Sequence, residues 1–90
     1  LSIEVKVSPL FYPYTNNQPS TAVNGSTVGE CLDYLVRQFP KLKRALFDRH
    51  GRLHHHLNIY VNQASAYPEE LARPVKDGDK LHIVMTISGG

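Results

Sequence analysis

An α+β roll, a mixed sheet covered on one face by a single helix, is the fold class this sequence predicts. Three observations lead there. Three stretches alternate apolar and polar residues with the period of a strand: SIEVKV (residues 2–7), LNIYV (57–61) and LHIVMTI (81–87). One stretch repeats with helical spacing, through Val28, Leu32, Leu35, Val36 and Phe39. The order is strand, strand, helix, strand, irregular segment, strand, and a helix that follows an N-terminal hairpin can lie across one face of the sheet.

The elements follow in order. Ile3, Val5 and Val7 form the inward face of the first strand, which Ser8-Pro9 ends. Residues 10–19 (LFYPYTNNQP) mix aromatics with turn formers, so they read as a long hairpin connection. STAV (20–23) is a short second strand, closed by the turn signal Asn24-Gly25. Thr27-Val28-Gly29-Glu30 matches a capping box: the Thr27 hydroxyl accepts from the Glu30 amide, and the Glu30 carboxylate reaches back to the Thr27 amide. Pro40 stops the helix, because a residue preceding proline is pushed out of helical geometry. Leu42, Leu46 and Phe47 suggest one further helical turn, broken between Asp48 and Gly51. In the next strand Leu57, Ile59 and Val61 point inward, and Asn62-Gln63 turns the chain. Residues 64–75 carry no clean period, although Pro68-Glu69-Glu70-Leu71 is a place for one helical turn. Asp77-Gly78-Asp79 is a turn signal that leads into the last strand.

Ninety residues are expected to make one domain, residues 1–90, with 41% hydrophobic and 20% charged residues, ordinary for a globular protein. One cysteine cannot form a disulfide framework or a cysteine-ligated cluster, which suits a reducing, cytoplasmic setting. No apolar run reaches the length of a membrane span, and the first residues show no signal-peptide pattern. A net charge of +2 does not by itself call for a nucleic-acid partner.

Four constellations invite a chemical reading. His54-His55-His56 would put His54 and His56 on one face of an extended segment, but no third ligand stands at a useful offset, so the expectation is solvated or packed histidines and no metal. Cys31 sits beside the apolar helix face next to Glu30 and near Asp33, carboxylates of the wrong sign to stabilise a thiolate, and so reads as core. Arg37, Lys41, Lys43, Arg44, Arg49 and Arg52 form a basic run without the interleaved aromatics of a base-stacking surface; it reads as a solvated face or a dock for an acidic partner rather than for RNA. Last, the final strand runs into Ser88, Gly89 and Gly90. A glycine-rich terminus is ordinarily a frayed end. It is also the kind of tail that threads a narrow slot, since glycine has no Cβ.

Together these pieces resemble the MoaD/ThiS-type ubiquitin-like sulfur carriers. The resemblance runs from the first strand through Thr27-Val28-Gly29-Glu30, Leu35-Val36…Phe39-Pro40 and Leu46-Phe47-Asp48…Gly51-Arg52-Leu53. It continues through Asn58-Ile59-Tyr60-Val61-Asn62 and Asp77-Gly78-Asp79 to Gly89-Gly90. Each motif is weak alone, but their order is specific. The resemblance implies a β-grasp fold and a protein that is a co-substrate, not an enzyme. It would hold no cofactor of its own. In such a carrier the carboxylate of Gly90 is adenylated by a ubiquitin-activating-type enzyme that binds the ATP, and is then converted to a thiocarboxylate. Gly89 and Ser88 thread the enzyme's slot, and a sulfur-accepting biosynthetic enzyme receives the sulfur. Tyr60, Val84 and Thr86 share outward parity beside the tail and are the expected contact face for the activating enzyme. Nucleic acid and membrane are not expected partners. The same chemistry would serve a ubiquitin-like modifier joined to lysines, and a third reading is a non-conjugating β-grasp interaction domain. The chain departs from many relatives in having Met85-Thr86 where they have Pro-Ala, and in its aromatic loop at residues 10–19, a mark of a subgroup with its own partner.

Overall fold

The computed structural model describes residues 2–85. Five strands form one mixed sheet: β1 (Ile3–Val7), β2 (Ser20–Val23), β3 (Leu57–Val61), β4 (Ala64–Ser65) and β5 (Lys80–Met85). Their order across the sheet is β2-β1-β5-β3-β4. β1 and β5 run parallel, with Val5 opposite Leu81 and Val7 opposite Ile83. The other neighbours are antiparallel, Ile59 facing Ile83 and Val61 facing Leu81. The register puts the alternating residues on one inner face, where Ile3, Val5, Ile59, Leu81 and Ile83 are at most 1% exposed.

The helix α1 (Val28–Gln38) covers that face, burying Val28, Cys31, Leu32 and Leu35. Val36 and Phe39, expected in the core, are only half-buried and pack at its margin. Thr27 caps the helix as expected, its Oγ1 accepting from the Glu30 amide at 3.1 Å. Such a cap contributes about 1 kcal/mol. The return bond is displaced by one residue. One Glu30 oxygen accepts from both the amide and the hydroxyl of Ser26, at 2.8 and 2.7 Å, so two donors hold it where the expected Thr27 amide would have supplied one. α1 ends before Pro40, and α2 (Leu42–Leu46) then buries Leu42 and Leu46 completely.

Two connections and one short strand differ from expectation. Residues 10–19 are not an open loop: a 3-10 helix spans Pro9–Tyr14 and buries Phe11. The Asn24-Gly25 pair does not make a positive-φ turn. Gly25 is needed instead for close approach, because a Cβ there would stand 2.7 Å from the amide nitrogen of Cys31 and 2.8 Å from its sulfur. The positive-φ pair of a tight hairpin lies at Asn62 (φ 50°) and Gln63 (φ 74°), joining β3 to β4, a strand whose two residues are too few to show a period. A 3-10 turn at Glu70–Ala72 meets the expectation for that segment.

Two substitutions test this packing. Leu35→Ala should cost about 2–5 kcal/mol in urea unfolding, the usual penalty for a core cavity. Gly25→Ala should cost about 1–3 kcal/mol, since the added methyl meets backbone atoms that cannot swing aside. A midpoint unchanged in either variant would show the helix face or its entry to be misplaced.

Candidate functional site

The outer face of the sheet is free of helices, and its centre is the end of β5. Here Tyr60 stands opposite His82, and Asn58 opposite Val84. Tyr60 and Val84 are therefore diagonal neighbours, close enough for their side chains to share one surface. Both are half-buried, while His82 is exposed. The parallel pairing brings Lys6 beside His82 on the other side, and a shallow groove of about 550 Å³ runs between Lys6, Tyr60, Lys80 and His82. Parity in the sequence placed Tyr60 and Val84 on this face. The cation Lys6 was not legible as part of it, because only the β1–β5 pairing carries it there, and Lys80 has the parity of His82 but precedes the stretch read as the last strand. Thr86, Ser88, Gly89 and Gly90, the remaining expected site residues, lie outside the described residues.

At the groove's end a polar knot fixes where β5 begins. The buried Asp79 carboxylate accepts from Asn62 Nδ2 at 2.9 Å through one oxygen and from the Lys76 amide at 2.8 Å through the other. Asn62 in turn accepts from the Lys80 amide at 3.0 Å through its side-chain oxygen, and its own amide donates to the Lys80 carbonyl at 2.8 Å. The Asn62 hydrogen bond, followed by the Lys76 amide, holds the Asp79 carboxyl below its ordinary value of 3.8. Two motif residues 17 positions apart are thus one structural unit, a contact that spacing alone could not reveal.

The other constellations resolve differently. His54 and His56 do not form a paired face, because the segment turns, with the Leu57 amide donating to the His54 carbonyl. His54 Nε2 meets the Arg44 carbonyl at 3.0 Å, while the rings of His55 and His56 stack at 3.9 Å. Among the described residues no three His, Cys, Asp or Glu side chains come together as a metal site. Cys31 is fully buried, and burial, with Glu30 adding to it, pushes its thiol pKa up, away from a reactive thiolate. Lys43, Arg44 and Arg49 line a second groove, of about 930 Å³, on the helical side. Asp33 and Asp48 stand among them, and Val36, Phe47, Gly51 and His54 complete the lining. Arg37 bends back toward the Asp33 carbonyl, 3.4 Å away, and over the Tyr34 ring. Among the described residues no helix is long and apolar enough to cross a membrane.

A five-stranded mixed sheet with parallel central strands and one helix across it defines a β-grasp, ubiquitin-like domain. The chain belongs to the ThiS family, whose model matches residues 14–90. It is 29% identical to the sulfur carrier protein CysO of Mycobacterium tuberculosis, the match covering 100% of both chains. It is 38% identical to small archaeal modifier protein 1 of Haloferax volcanii over 66 residues, 72% of this chain and 71% of that one. In three dimensions it matches a chain of the Amycolatopsis orientalis BexX/CysO complex with a TM-score of 0.87 and 29% identity, covering 98% of this chain and 99% of that chain.

The knot makes a pH prediction. A carboxyl whose folded-state pKa is depressed contributes stability that is present above its unfolded pKa and lost as pH falls through the folded one. Asp79 should therefore support the fold fully at neutral pH and progressively less below about pH 4. Asp79→Asn should lower the melting temperature at pH 7 and show a shallower further loss between pH 5 and 2.5 than the intact protein. Parallel melting curves across that range would refute the assignment.

Proposed function

We propose that the protein is a sulfur carrier in biosynthesis, a protein that is itself the substrate rather than the catalyst, and that its reacting group is the carboxylate of Gly90. The supporting observation is the placement of Gly89-Gly90 in sequence, separated by only three residues from the end of β5, the central strand. β5 is bonded on both sides, to β1 and β3, and buries Leu81 and Ile83 completely, so the base from which the chain continues past Met85 is fixed. Full-length similarity to a sulfur carrier agrees with that placement.

The chemistry asks little of the carrier's body. A carboxylate is a poor electrophile. Its attack on the α-phosphorus of ATP, held by a separate adenylating enzyme, expels pyrophosphate and makes an acyl-adenylate. A hydrosulfide equivalent then attacks the acyl carbon, and AMP leaves with the electron pair of the broken C–O bond. The resulting thiocarboxylate is a sulfur nucleophile for an acceptor enzyme. Beyond that carboxylate, no general base, nucleophile or metal ligand is required from this chain. What it supplies is a terminal glycine pair without Cβ atoms to obstruct a slot, and a surface to be recognised. Tyr60 and Val84, with Lys6, Lys80 and His82 beside them, are the surface we assign to that recognition, and Thr86 is assigned to it on its sequence parity alone. Ser88 and Gly89 are assigned to the slot.

Similarity to a modifier protein favours a second reading, in which the activated carboxylate is passed to a lysine amine. Mass spectrometry of protein purified from its own cells separates them: sulfur replacing oxygen at the terminus marks the carrier, and lysine-linked conjugates mark the modifier.

Deleting Gly90 should abolish ATP–pyrophosphate exchange with the adenylating enzyme of the same organism. The melting temperature should stay nearly unchanged, because glycine has no side chain to bury. An extension beyond Gly90 should block exchange equally. If the truncated protein exchanges as fast as the intact one, Gly90 is not the reacting residue.

A further inference from the structure

The 3-10 helix Pro9–Tyr14 carries two of the three large hydrophobic side chains exposed among the described residues: Leu10 is 50% exposed and Tyr14 42%. Exposed Pro13 lies between them in the chain. Isolated exposed apolar groups are ordinary on a surface. This group differs because it is built. Phe11, 1% exposed, plugs the helix into the core beneath α2, and Thr15, also 1% exposed, closes its other end. The Thr15 hydroxyl donates to the Gln18 carbonyl at 2.9 Å, and the Thr15 and Asn17 amides both donate to the Tyr12 carbonyl. Pro9 and Pro13 restrict the backbone further. Two inward anchors thus hold Leu10 and Tyr14 outward on a stiff ridge, where little order need be lost on binding.

Position decides what the ridge is for. β1 and β5 are parallel, so the C-terminal ends of both strands lie at one edge of the molecule. The Ser8 amide donates to the Ile83 carbonyl at 3.0 Å, and the 3-10 helix begins at the next residue. The ridge therefore rises beside the last turn of strand from which the chain runs on to Gly90. A protein that takes hold of the chain where it leaves Met85 approaches at this edge.

We propose that Leu10 and Tyr14 form a specificity ridge that docks against an apolar surface of the adenylating enzyme, bordering the cleft that receives the carrier's terminus. The proposal rests on the sulfur-carrier reading and adds to it the part of the body the enzyme reads. The ridge residues do not line the outer-face groove of Tyr60 and His82, so this is a second contact surface. The contact is made equally before and during adenylation, so it governs binding and not the chemical step.

The test is ATP–pyrophosphate exchange with the adenylating enzyme of the same organism, titrated with intact carrier, Leu10→Ser/Tyr14→Ser, Tyr14→Phe, and carrier lacking Gly90. The double variant should raise the KM for the carrier about tenfold or more and leave kcat within about twofold, the pattern of lost uniform binding. Tyr14→Phe keeps the apolar ring and should behave as the intact protein. Melting temperature confirms that the fold is retained, as expected for exposed positions. Should the serine changes lower it, Leu10→Thr alone, read by the same KM, decides. If the KM of the serine variant stays within about twofold of the intact protein while loss of Gly90 abolishes exchange, the ridge proposal falls and the carrier reading stands. If the protein lacking Gly90 still exchanges, the carrier reading itself falls. A raised requirement for carrier only in transfer to the acceptor enzyme, with exchange unchanged, would also overturn the assignment to the adenylating enzyme.

Discussion

The pairing of β1 with β5 is the constraint on which the rest of the structure depends. Strands from the two ends of the chain lie side by side at the centre of the sheet, Val5 against Leu81 and Val7 against Ile83. Because they are parallel, no hairpin can join them. The chain that leaves β2 must instead cross over this pair to reach β3 on its other side, and α1 opens that crossover, burying Leu32 and Leu35 against the sheet. The same pairing fixes which residues meet on the outer face, and it brings the start of the 3-10 helix to the edge where β5 ends.

Much of this was legible because it obeys simple periods. β1, β2 and β3 fall on their expected residues, and the helix begins and ends where Thr27 and Pro40 direct. The misses share a physical cause: each depends on a contact between residues remote in sequence or on too few residues to make a pattern. β4 has two residues, both exposed. Phe11 reads as one aromatic among several in a turn-rich loop until the pocket beneath α2 is known. Gly25 looked like half of a turn signal, whereas its lack of a side chain matters because the Cys31 amide passes beneath it. Half-buried Val36 and Phe39 satisfy the helical period yet sit past the edge of the sheet they were expected to meet.

The site shows the same division. Parity along β3 and β5 was sufficient to place Tyr60 and Val84 on one surface. Lys6 joined them only with the strand order, and the bond between Asn62 and Asp79 came only with the turns folded. That bond explains why an Asn at the end of one strand and an Asp at the start of another both belong to the motif set: each satisfies polar groups of the other at a partly buried junction. The histidine run lies in a turn, and the lone thiol is packed in the core.

The central position of β5 also has a mechanical side. A pull on the chain beyond Met85, directed along the strand, loads the hydrogen bonds to β1 and to β3 in shear. Those bonds lie across the direction of force and must yield together, whereas a peeling force would break them one after another. At the far end of the strand the Asp79–Asn62 tie anchors the same element to the β3–β4 turn, so the load is spread over four of the five strands. A domain strung this way can be gripped and tugged by its last residues repeatedly, while its body behaves as a rigid handle.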